Sequence, residues 1–217
     1  FFIAGIIALG SLLTAPAHAQ EAQCIPKKDL VEISKHFKQF KKHANSDFCN
    51  DGSSQDYQLL MAIQFMRKTE FDRNMPLSQD DFFSGRFAND WYNYFIGRIN
   101  DITIDKNCPK GAIAYVRGFL GYMQKTMYVC PMALTPSFSS LDLASVFMHE
   151  ARHIDGFPHM MCTHGAREGR SGACDHKISD GGSYAVTVET YAQLAKYAKD
   201  VHPALKSYAM ASSSTYA

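Results

Sequence analysis

The sequence predicts an α+β fold, mainly helical with a small mixed or antiparallel sheet. Three observations carry it. Apolar residues recur at helical spacing in five separate stretches. Two short β-prone runs flank a segment containing two glycines. No internal repeat or linker divides the chain, and 217 residues, 46% of them hydrophobic and 20% charged, suit one domain with a sizeable core.

The elements follow in order. Residues 27–44 place Leu30, Ile33, Phe37 and Phe40 three and four apart, one apolar helical stripe. Six lysines cover the rest of that helix and read as a solvated face rather than a membrane-surface helix. Asp47 to Ser54 is a loop. Residues 55–70 form a helix that turns Leu59, Ile63 and Met66 inward. Residues 79–100 are rich in aromatics, including Phe82 and Phe83. Phe87, Trp91 and Phe95 recur every four residues there, which marks a core-facing helix rather than a platform for stacking bases. Asn107 to Gly111 is a turn. Ala112 to Val116 and Thr126 to Val129 are β-prone, and Gly118 and Gly121 between them suit a hairpin. Residues 141–154 form a helix that Ser139-Ser140 can cap and that Gly156 and Pro158 stop. Residues 183–200 form the last helix, with Tyr184, Val188, Tyr191, Ala195 and Ala198 as its packing stripe.

Charge and cysteines narrow the class. Twenty-two Lys and Arg against 21 Asp and Glu give +1, without the basic surplus that nucleic-acid binding needs. Residues 1–19 carry no Asp, Glu, Lys or Arg. Phe1 to Leu13 is an apolar run too short to span a bilayer, and Ala17-His18-Ala19 has the small-x-small form of a cleavage site. Residues 1–19 are therefore expected to be an N-terminally truncated signal peptide, and residues 20–217 a single domain. No later stretch is apolar enough for a membrane span. The product is expected to be exported, periplasmic or extracellular. An even number of cysteines in an exported chain predicts disulfides, and proximity favours Cys24–Cys49, Cys108–Cys130 and Cys162–Cys174. No C-x-x-C spacing suggests a thiolate metal site.

Residues 149–153 read His-Glu-Ala-Arg-His. On a helix, positions i and i+4 lie one turn apart on one face, so His149 and His153 can each offer a nitrogen to one ion. Glu150 is turned about 100 degrees round the helix and can serve a metal-activated water without ligating. That is the arrangement of a zinc hydrolase with a glutamate general base. Nine histidines and this composition give H-E-x-x-H by chance roughly once in a hundred such chains. Here the match extends through Gly156 to His159.

His149 to His159 (HEARHIDGFPH) resembles the zinc-binding motif of the zincin metallopeptidases, in the metzincin form. The resemblance covers only these eleven residues. It implies a zincin-like domain built round an active-site helix. It implies a zinc ion (Zn²⁺) held by His149, His153 and His159, with Glu150 as general base and a peptide or protein as substrate. It also implies that Gly156 permits the turn that returns His159 to the metal. Two departures stand. A methionine turn has only Met160, Met161 and Met210 as candidates, and no propeptide is evident. Glu189, on the helix over 183–200, is the alternative third ligand in the gluzincin manner, and Asp180 is a further one. Tyr184, Tyr191, Tyr208 and His176 are candidates for stabilising the oxyanion, and Thr126 to Val129 for binding an extended substrate. A Cys162–Cys174 disulfide would bring Arg167, Arg170 and His176 toward the cleft mouth, where His164 also falls. The competing reading is a non-catalytic exported protein that binds metal, or a disulfide-stabilised binding protein.

Overall fold

The computed structural model describes residues 24–49, 54–72, 90–119, 122–135, 137–163 and 167–216. The expected signal segment, Phe82, Phe83, Phe87, Gly121 and His164 lie outside the described residues. In chain order come β1 (Cys24–Ile25), α1 (Lys27–His36), a 3₁₀ helix (Lys38–His43) and β2 (Phe48–Cys49). There follow α2 (Gln55–Lys68), α3 (Trp91–Arg98), β3 (Asp101–Ile104), β4 (Ala114–Phe119) and β5 (Tyr122–Val129). The last three are α4 (Ser140–Ile154), α5 (Ser183–Tyr197) and α6 (Pro203–Tyr216). The fold is α+β.

The sheet order is β3-β5-β4, with β3 parallel and β4 antiparallel to β5. The hairpin forms, but its strands reach further into residues 117–125 than the β-prone runs, and the register shifts between Val116 and Gly118. β5 is therefore the central strand and β4 an edge. That corrects the expectation for Thr126 to Val129, because a central strand has no free backbone to offer a substrate.

The expected helix over 27–44 breaks at Phe37 (φ −111°, ψ 89°) and continues as the 3₁₀ helix. The tighter winding puts Phe37 and Phe40, three residues apart, on one side, and both are fully buried. All six lysines of the segment are exposed. α3 begins only at Trp91, and its buried Phe95 stacks on Phe147 of α4 at 5.4 Å. Four of the strands and α-helices were not anticipated: the paired two-residue strands β1 and β2, the second inside the segment expected to be a loop, and β3 and α6. β3 is four residues long, and α6 buries only Ala209 and Ser213, so it carries almost no apolar stripe.

α5 lies against both α4 and α6. Almost all of its residues are buried, including the polar Ser183, Thr187, Glu189, Thr190 and Gln193, because it packs between two helices. The disulfides are Cys24–Cys49, Cys108–Cys130 and Cys162–Cys174, as proximity predicted. Among the described residues, no helix is long and apolar enough to cross a membrane.

Candidate metal centre

α4 starts at a capping box. Ser139 Oγ accepts from Asp142 N at 3.1 Å, and Asp142 Oδ2 accepts from Ser139 N at 3.2 Å. The helix ends at Ile154, and Gly156 takes φ +86°, a left-handed conformation that side chains with a Cβ resist. Nothing lies within 4 Å of where its Cβ would be, so the requirement for glycine is conformational. The loop beyond is tied down. Met160 N donates to Cys174 O at 2.8 Å, and the Cys162–Cys174 disulfide closes the same segment.

This reversal delivers His159 to His149 and His153. His159 Nε2 lies 3.3 Å from His149 Nε2 and 3.1 Å from His153 Nε2. The three rings offer ligand atoms all within 4.8 Å of one another, a group that can hold a metal ion.

The other ring nitrogens of His149 and His153 are held by the protein. His153 Nδ1 lies 2.5 Å from Phe157 O. A carbonyl only accepts, so Nδ1 carries the proton and Nε2 keeps its lone pair. Thr187 Oγ1 donates to Ser183 O at 3.2 Å and so receives the Nδ1 hydrogen of His149 at 2.9 Å. Ser183 Oγ also sits 3.0 Å from His153 Nδ1. Ser183 and Thr187 stand one turn apart on α5 and oppose the histidine pair one turn apart on α4. Burial pushes His149 well below the ordinary histidine range, and its two histidine neighbours push it further. His153 is lowered by burial, against its bond to Phe157 O and the charge of Asp175. His159 falls to about 4, from burial first and then from His153. All three rings are thus neutral, the form that ligates.

Asp175 fixes the start of α5. Its carboxylate accepts from Tyr184 N at 3.2 Å and Ala185 N at 2.8 Å. A Cβ on Gly182 would collide with that carboxylate and force it to shift. Glu150, next to His149, is 6% exposed, and burial raises its carboxyl to about 8 against a hydrogen bond from Val116 N–H of β4. Tyr184 packs edge-on to His149 at 4.9 Å and lies 5.1 Å from the His159 ring. These groups open into a cleft of about 1110 Å³ walled by β4, α4, α5 and α6.

The structure thus unites His149, Glu150, His153, His159 and Tyr184. Glu189 is elsewhere. It is 1% exposed, and Gln193 Nε2, whose amide oxygen takes the Trp91 indole N–H at 2.8 Å, donates to its Oε1 at 3.2 Å. It lies two residues beyond Thr187, hence on the opposite side of α5. Asp180 pairs with the exposed His176 at 3.1 Å, and neither lines the cleft. Tyr191 and Tyr208 line it, but both donate to Asp142 Oδ1 at 2.8 Å. Met160, Met161 and Met210 are 43%, 60% and 49% exposed, so none of them underlies the histidines. Arg167 lines the cleft, whereas Arg170 does not. Sequence reasoning missed Val116, Asp175, Ser183 and Thr187. The hydroxyls at positions 183 and 187, four apart like the histidines, were the available signal. No protein-family model, curated protein or solved structure matches the chain.

Proposed function

We propose that the protein is an exported zinc-dependent metallopeptidase of zincin-like design. The observation that carries this reading is the meeting of three neutral imidazole nitrogens beside a buried carboxyl in one cleft. The donor set suits zinc: three nitrogen ligands, with His149 oriented from behind by Thr187 and His153 by Ser183 and Phe157 O, and no fourth His, Cys, Asp or Glu in the group among the described residues. A purely structural site would be closed by a fourth protein ligand, and Glu189 and Asp180 both lie apart from it. A bound zinc ion would polarise a carbonyl and a water, and its charge would draw the Glu150 carboxyl down from about 8 toward neutral pH.

The chain's own residues supply the rest. Glu150 takes a proton from the attacking water and passes it to the leaving amine, work that suits a carboxyl tuned upward by burial. Val116 N–H, which donates to Glu150 rather than to β5, fixes that carboxyl. Among the described residues no strand pairs with the outer edge of β4, and its backbone groups other than Val116 N–H would be offered to an extended peptide. Tyr184, whose ring packs beside those of His149 and His159, is the residue we assign to donate its hydroxyl to the developing oxyanion. Three disulfides support export to an oxidising compartment, periplasmic or extracellular. The test is a peptide-library digest by the zinc-loaded chain and by Glu150→Gln. The variant is expected to keep its metal and lose cleavage, and full activity in it would overturn the mechanism.

A further inference from the structure

Arg167 lines the cleft with no carboxylate partner among the described residues. Arg67, Arg98, Arg117 and Arg152 each form an ion pair with a carboxylate. Among the described residues, Arg167 forms none. Its guanidinium instead stands 5.7 Å from the Tyr184 ring centroid and 5.6 Å from that of Tyr216. Contact with aromatic faces steadies a guanidinium while leaving its in-plane N–H groups free to donate. The other acids of the cleft are engaged. Asp142 takes Tyr191, Tyr208 and Ser139, and Glu150 takes Val116 N–H. Tyr184 also touches His149 and His159, so Arg167 stands one tyrosine ring away from the histidine group.

We propose that Arg167 binds a carboxylate of the peptide substrate. This deepens the metallopeptidase reading and rests on it. An extended chain advances about 3.5 Å per residue, so the carboxylate falls within about three residues of the bond being cut. A planar guanidinium pairs with a carboxylate through two parallel N–H donors, which lysine cannot do. Both a C-terminal carboxylate and an Asp or Glu side chain carry this chemistry.

The test separates binding from cleavage. Zinc-loaded Glu150→Gln protein is titrated calorimetrically with hexapeptides of one sequence. These are made with a free or amidated C-terminus, and with Glu or Gln at each internal position. The expected result is roughly ten- to a hundredfold tighter binding of the carboxylate-bearing member of a pair. The pair that shows it identifies the source. The advantage should vanish when Arg167→Met is added and return in part with Arg167→Lys, which shows that the fold survived. Equal affinities, no measurable binding of either member, or a preference that persists in Arg167→Met would each overturn the proposal. Digestion of the same peptides by the Glu150-containing chain reports separately on the peptidase reading. Cleavage without an Arg167-dependent preference sinks only the arginine site. Arg167-dependent binding without cleavage sinks only the peptidase.

Discussion

Between α1 and α2, the fully buried Asp29 carboxylate meets Gln64 Nε2 at 2.6 Å, Lys68 Nζ at 2.8 Å and the Arg67 guanidinium. At the end of α4, three imidazoles meet chiefly one another, with Nε2 atoms 3.1 and 3.3 Å apart. Both clusters gather ionisable groups within hydrogen-bonding distance of one another. The first closes on itself, with cations and a donor round one anion. The second gathers groups of one kind and points their lone pairs at a common place, an arrangement that a cation from outside would complete. A cluster whose buried anion already has its partners serves the fold, whereas lone pairs gathered with no acceptor of their own serve a ligand.

The comparison breaks most visibly in activity. Glu150→Gln is expected to lower peptide hydrolysis by about 10²- to 10⁴-fold with metal content unchanged, measured as turnover per bound zinc. Asp29→Ala should do the reverse. Losing the buried carboxylate and its hydrogen bonds to part-exposed cations costs about 1–3 kcal/mol, read from urea unfolding, while the metal stays bound. Thr187→Val tests the support behind His149. Losing that partner is expected to weaken zinc affinity by about 10- to 100-fold in chelator competition, with little change in stability.

The smallest effect is in pH. Burial pushes the Asp29 carboxyl up, but hydrogen bonds from Lys68 and Gln64 and the Arg67 charge outweigh it and hold it below the ordinary range. A depressed folded value means stability that is present above the unfolded value near 3.8 and lost as pH falls through the folded one. Urea midpoints of the wild type should therefore fall below about pH 4. Those of Asp29→Asn should fall less, and parallel curves would remove Asp29 from the account.

The two clusters also differ in how far they could be read from sequence. His149, Glu150, His153, Gly156 and His159 lie within eleven residues, where helix periodicity and one turn fix their relation. The α+β class, the buried stripe of Leu30, Ile33, Phe37 and Phe40, and the cysteine pairing follow from equally local spacing. Asp29 and its partners stand 35 to 39 residues apart, a pairing set by how α1 packs on α2. The same limit hid Thr187, Ser183 and Asp175, which reach the site only because α5 packs along α4. It also left Glu189 open as a ligand, since the face a carboxylate takes on a helix buried all round is decided by packing. α6 escaped because its serines and alanines carry almost no periodic signal.

The central claim is that His149, His153 and His159 hold one metal ion and Glu189 does not. Elemental analysis of the purified chain, with His159→Ala and Glu189→Ala beside it, tests this most directly. The account predicts one zinc per wild-type chain, lost in His159→Ala and kept in Glu189→Ala. A wild type without bound metal, or zinc that survives His159→Ala and departs with Glu189→Ala, would contradict it.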